Sequence, residues 1–242
     1  VVHEHYDITG IPSSIDVVMV LKVIGLAILC AILSSLFCIF MTIVHKLFRK
    51  YFKNQYLRVF AGGLMLVLLN IVLKTTDYNG TGMNIIAKAL NGNAQPAAFL
   101  LKALFTAITI GCGFRGGEIV PSFFVGATFG CVAGGLMGMD PGFAAALGMV
   151  CFFCGVVNCP LTSLFLSIEL FGANGIMFFT IGCAVSYMLS GYYSLYNEQK
   201  IIYSKLRPHY VNLYTNQEIR TKEPGFLEGF LRIREDDADD VE

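Results

Sequence analysis

Arg115 and Glu118 stand three residues apart in a run of glycines, G-C-G-F-R-G-G-E-I-V-P over residues 111–121. The sequence on either side is strongly apolar. Ionisable residues in such surroundings mark ion or proton paths, and a glycine-rich break in a membrane segment is tolerated where it is buried in protein or lines a cavity. From Pro121 onward the pattern turns helical through Phe123, Phe124, Ala127 and Cys131, which places Pro121 at the first helical position. Unpaired N–H groups and the positive dipole end would make that helix start an anion site. Glu118 complicates this reading. An ionised carboxylate repels an anion, whereas burial beside an anion favours the protonated form, which can donate a hydrogen bond or carry a proton. The alternative is that Glu118 pairs with Arg115 and closes the break. Arg115 itself reads as a structural partner or interface charge, not as a ligand.

Composition fixes the setting. The chain has 242 residues, 55% hydrophobic and only 14% charged, against about 25% charged in a soluble domain, and its mean hydropathy is +0.65. Between Ala103 and Ile168 the charged side chains are Arg115, Glu118 and Asp140. This is the pattern of an integral membrane protein, all-α and polytopic. A formal net charge of zero gives no argument for a nucleic-acid partner. The eight cysteines fall in apolar runs, apart from Cys112 in the glycine break, and read as small buried hydrophobes. The Cys151–Cys154 pair has metal or redox spacing but no second pair and no nearby histidine. His3, His5, His45 and His209 lie at segment ends or outside the apolar runs. No metal, cofactor or enzymatic nucleophile–base pair is expected.

The elements that must position these residues follow from the apolar runs. Helices are expected over 15–48, 58–74, 83–91, 96–110, 121–138, 142–157, 160–171 and 175–190. The polar opening residues 1–14 lack the pattern of a signal peptide and read as the start of a chain that begins partway through a longer protein. His45, Lys46, Arg49, Lys50, Lys53 and Arg58 form a basic connection, cytoplasmic by the positive-inside rule. Lys200, Lys205 and Arg207 read as a cytoplasmic exit. Residues 208–242 form a tail whose acidic end is too polar to pack. Short, glycine-interrupted apolar segments point to a transporter's binding site. Nine glycines between Gly111 and Gly138 also permit close helix packing. Gly116 and Gly117 read as backbone positions at the ion.

Three ordered motifs carry a family resemblance. G-G-E-I-V-P resembles the G-x-F-x-P signature in the second half of CLC chloride channels and anion/proton antiporters, with Ile119 at the Phe position. The Gly116-Gly117-Glu118 triplet is similar to the fluoride-exporting branch. C-P-L-T-S-L-F-L-S-I-E-L resembles the stretch after the signature, with Glu169 at its acidic position, read here as a helix-end charge. S-G-Y-Y-S-L-Y resembles the segment where the final helix begins with an anion-coordinating tyrosine; Tyr196 is the best match, with Tyr193 as the fallback and an interfacial aromatic belt as the bland alternative.

The resemblance implies a C-terminal inverted repeat of a CLC-type fold over residues 15–207, with broken and re-entrant helices. It implies anion binding by the backbone at Gly117, Glu118 and Ile119 and by the Tyr196 hydroxyl, with Glu118 as the candidate for proton coupling. It further implies chloride or fluoride and protons as the transported ions, a homodimer in the plasma membrane, a cytoplasmic C-terminus, and a missing N-terminal half that holds the gating residue. A passive chloride channel of the same fold, a different broken-helix transporter, and a non-transporting fragment or subunit are the alternatives.

Overall fold

The apolar runs fold as helices whose ends fall within three residues of the expected bounds. The computed structural model describes residues 10–11, 16–196, 198–205 and 210–216. The opening segment, apart from Gly10 and Ile11, and the acidic end of the tail lie outside these residues. Among the described residues the chain forms α1 (Val17–Tyr51), α2 (Gln55–Leu73), α3 (Met83–Leu90), α4 (Ala98–Gly111), α5 (Ile119–Leu136), α6 (Pro141–Val157), α7 (Pro160–Phe171) and α8 (Ile176–Leu189). A two-stranded antiparallel ribbon follows, β1 (Lys200–Tyr203) with β2 (Tyr210–Tyr214). It was not expected from the sequence, but it adds no sheet core. The protein is an all-α, polytopic integral membrane protein.

By length and composition α1, α2 and α5 can each cross a membrane. At 35 residues, α1 is about 52 Å long against a hydrocarbon core of about 30 Å, so it tilts or extends past the lipid. α2 exposes Phe60, Leu64, Leu68 and Ile71, a face suited to lipid or to another apolar surface.

α6 is the hub. All of its residues after Pro141 are buried, with α1, α5 and α8 packed around it. Its small residues allow this. A Cβ built on Gly148 would lie 2.6 Å from the Gly126 carbonyl oxygen and 2.6 Å from Gly130 Cα, so α5 and α6 meet backbone to backbone along a glycine seam. Aromatic pairs key the outer turns, with Phe37–Phe152 centroids 5.6 Å apart and Phe123–Phe153 centroids 5.0 Å apart. Seven of the eight cysteines are buried in this interior as free thiols, Cys159 being partly exposed.

Two charged residues, Asp140 at the surface and Lys102 in the core, have local explanations. Asp140 caps α6 by accepting from the Phe143 amide at 3.0 Å, with Pro141 at the first helical position. Lys102 on α4 is buried, yet its ammonium donates to the carbonyls of Tyr78 (3.0 Å) and Gly80 (2.6 Å) and lies over the Phe124 ring. It thereby ties the α2–α3 loop to α5, a role that the sequence alone does not reveal.

Candidate functional site

α4 stops because its C-terminus closes on itself. Gly113 takes φ 105°, a conformation that favours glycine. Its N–H bonds to the Ile110 carbonyl while that of Phe114 bonds to the Thr109 carbonyl. This is the double closure of a Schellman motif. Arg58 from α2 adds a cation at that helix end, donating through Nε to the Cys112 carbonyl at 3.2 Å. By sequence Arg58 belongs to the basic connection; the structure uses it to hold the loop that carries the glycine break.

α5 starts earlier than expected. Glu118 is its N-cap and Ile119 its first residue, so Pro121 sits third, not first. This costs no hydrogen bond, because the first turn's N–H groups have no intrahelical partners. The first amide to bond within the helix here is Ser122, to the Glu118 carbonyl at 3.2 Å. Glu118 makes no side-chain cap to its own helix, so the N-terminal amides are left open.

Arg115, Gly116 and Gly117 are exposed, Glu118 is half-buried and Ile119 is 38% exposed. A Cβ on Gly116 or Gly117 would meet nothing within 4 Å. Arg115 and Glu118 form no ion pair with each other among the described residues. The pairing considered from the sequence is therefore not the arrangement found.

The segment with Tyr196 approaches the same region. Phe123 in the first turns of α5 and Leu195 pack against one apolar cluster containing Phe37, Cys38, Phe153, Val157 and Tyr193. Tyr193 is buried in that cluster, whereas the Tyr196 ring is 44% exposed. Of the two tyrosines, Tyr196 is thus the one with an accessible ring. The structure does not begin a helix there. Ser194 Oγ and the Leu195 amide bond to the Val156 carbonyl (3.1 and 3.0 Å), and Gln199 Nε2 bonds to the Val157 carbonyl at 3.0 Å. These groups satisfy the open carbonyls at the end of α6 instead of forming i→i+4 bonds.

Glu169, in the last turn of α7, is exposed.

Comparisons with known proteins agree with this layout. A family model described as voltage gated chloride channel matches residues 2–191. A chloride/fluoride channel protein of Pseudomonas syringae pv. tomato is 32% identical over 214 residues, covering 85% of this chain and 46% of that protein. The H(+)/Cl(-) exchange transporter ClcA of Vibrio cholerae is 26% identical over 155 residues, covering 59% of this chain and 33% of the relative. A crystal structure of a CLC-type fluoride/proton antiporter superposes with a TM-score of 0.73 at 31% identity, over 76% of this chain and 48% of that one. The chain spans about half the length of the first of these relatives and of the solved structure. With the family model covering most of its length and the helices in matching arrangement, the chain belongs to the voltage-gated chloride channel (CLC) family.

Proposed function

We propose that this chain is the C-terminal half of a CLC-type transporter that moves fluoride or chloride across the plasma membrane in exchange for protons. The observation that carries the reading is the open amide end of α5 at Glu118 and Ile119, beside Gly116 and Gly117, whose faces meet nothing within 4 Å. An anion leaving water loses hydration worth several kcal/mol or more. Amides near Gly117, Glu118 and Ile119 replace that hydration without a full positive charge, and the Tyr196 hydroxyl adds one neutral donor. Such a site binds strongly enough to admit an anion and weakly enough to release it.

Glu118 at the N-cap is the proton carrier in this reading. Protonated, it can sit beside a bound anion; ionised, it repels the anion. Its freedom from Arg115 supports a mobile role over a structural one. Fluoride is favoured over chloride by the Gly116-Gly117-Glu118 triplet and by the names of the Pseudomonas relative and the antiporter structure. The exposure of Ile119, Tyr196 and the glycine loop supports completion of the pathway by a first repeat contributed from outside these residues. We further propose a homodimer with the C-terminus in the cytoplasm.

Ion efflux from liposomes containing the complete transporter tests this, with fluoride and chloride compared and internal pH followed. Fluoride-preferring efflux with opposed proton movement, uncoupled in Glu118→Gln, is the expected result. Chloride efflux that ignores the proton gradient and survives Glu118→Gln would instead make this a passive channel.

A further inference from the structure

Asn158 ends α6 in the left-handed conformation, φ 58°, and its side-chain amide holds the chain beyond α8 at two points. Nδ2 donates to the Tyr193 carbonyl at 2.8 Å. Oδ1 accepts from Lys205 Nζ and, at 3.4 Å, from Ser190 Oγ. The Lys205 ammonium also donates to Ser190 Oγ at 2.9 Å and lies 4.5 Å from the Tyr187 ring centroid.

Asn158 and Ser190 are the C-caps of α6 and α8. Lys205 therefore sits where two helices end, and the negative ends of their dipoles favour a cation there. Among the described residues its hydrogen-bonding partners are neutral, and the lysine is partly buried among them. A surface lysine would bring its charge to water or to a carboxylate; this one brings it inward to two helix ends.

Tyr196 lies between the two gripped points, residue 193 on one side and residue 205 on the other. Its own carbonyl is held by Thr215 Oγ1 at 2.6 Å. We propose that Lys205 is a positioning residue for the anion site, latching the Tyr196 segment onto the ends of α6 and α8 through Asn158 and Ser190. The inference rests on the reading of Tyr196 as an anion ligand and adds the residue that sets where that ligand stands. Removing the ammonium takes away one anchor on the far side of Tyr196 while the Asn158–Tyr193, Gln199–Val157 and Thr215–Tyr196 bonds stay in place, so the tyrosine's placement loosens without loss of the fold.

The test is the half-saturating fluoride concentration for transport by the complete protein in liposomes, measured separately from the maximal rate. Four variants are compared: Tyr196→Phe, Lys205→Met, the two combined, and Lys205→Arg. Displacing a positioned group by about 1 Å can cost up to ~100-fold; a partial release such as this is expected to raise half-saturation about tenfold.

The expected result is that Tyr196→Phe and Lys205→Met each raise it, the double variant raises it no further than Tyr196→Phe alone, and Lys205→Arg restores part of the loss. A merely structural lysine would lower the amount of active protein and the maximal rate, leaving half-saturation where it was. Unchanged half-saturation in Lys205→Met, or effects that multiply in the double variant, would overturn the latch while the site reading survives. No effect of Tyr196→Phe would overturn the site reading and the latch with it. Should Lys205→Met fail to fold, Ser190→Ala removes one of the ammonium's two oxygen partners and is judged by the same criteria.

Discussion

Gly148→Ala is expected to be among the most damaging single-methyl additions in this protein. The new Cβ would lie 2.6 Å from the Gly126 carbonyl oxygen, 2.6 Å from Gly130 Cα and 3.1 Å from Gly130 N. All three obstacles are backbone of α5, so no side chain can rotate away. Ordinary contact distances require α5 and α6 to separate by on the order of 1 Å along the seam, which also forfeits dispersion contacts on both sides. Overpacking costs about 1–3 kcal/mol in a well-packed core, and rigid backbone on the far side puts this case at the upper end. For a unit of this size that corresponds to a fall of roughly 5–10 °C in thermal midpoint. The assay is thermal unfolding in detergent, followed by fluoride efflux from liposomes. Because α5 begins at the signature loop, parting the seam also shifts the Glu118 end of the helix, and efflux falls with stability. Gly116→Ala is the matched control: its Cβ meets nothing within 4 Å, so stability stays within about 0.5 kcal/mol of the parent. A Gly148→Ala protein as stable as the Gly116→Ala control would refute the backbone-contact argument.

Three further outcomes follow from the same geometry. Gly117→Ala leaves the thermal midpoint unchanged but lowers fluoride efflux, because the methyl enters the open space beside the α5 amides; undiminished efflux would remove residue 117 from the anion site. Arg58→Ala loses about 1 kcal/mol, the worth of a cation at a helix C-terminus, and Arg58→Lys recovers part of it; equal midpoints for Arg58→Ala and parent would show that the Cys112 carbonyl needs no cation. Burial holds the Lys205 ammonium down to about 8 from its ordinary 10.5. The docked lysine therefore binds its proton less tightly than the free one, burial outweighing the attraction of the two helix ends, and the cost of holding the ammonium there is relieved as pH rises from about 8 to 10.5. The parent should gain thermal stability relative to Lys205→Met between those limits; parallel curves would refute the buried placement.

Residues whose surroundings are set by their sequence neighbours are legible in the sequence itself. Asn158-Cys159-Pro160 reads as a helix break because proline suits a helix start, and α7 does begin at Pro160. The glycines around Arg115 and Glu118 likewise had to interrupt a helix, since a run apolar enough for lipid offers no other reason to stop. Residues whose roles depend on segments converging from far along the chain are not legible in that way. Lys205 looks like an exit charge, yet it reaches Asn158 and Ser190, 47 and 15 residues away. Arg58 looks like one charge of a basic connection, yet it caps α4 at Cys112, 54 residues on.

Tyr196 is singled out by resemblance, but its expected helix gives way to bonds with the Val156 and Val157 carbonyls. Those carbonyls are open because α6 ends at Asn158, and a helix C-terminus with open acceptors draws in whatever donors the next passing segment supplies. A usable signal is therefore present in the chain: an asparagine closing an apolar helix just before Cys-Pro announces buried carbonyls in need of partners. Ser194, Gln199 and Lys205 are polar residues within reach of that helix end. They serve the end of α6 first, and the position of Tyr196 follows from where they attach.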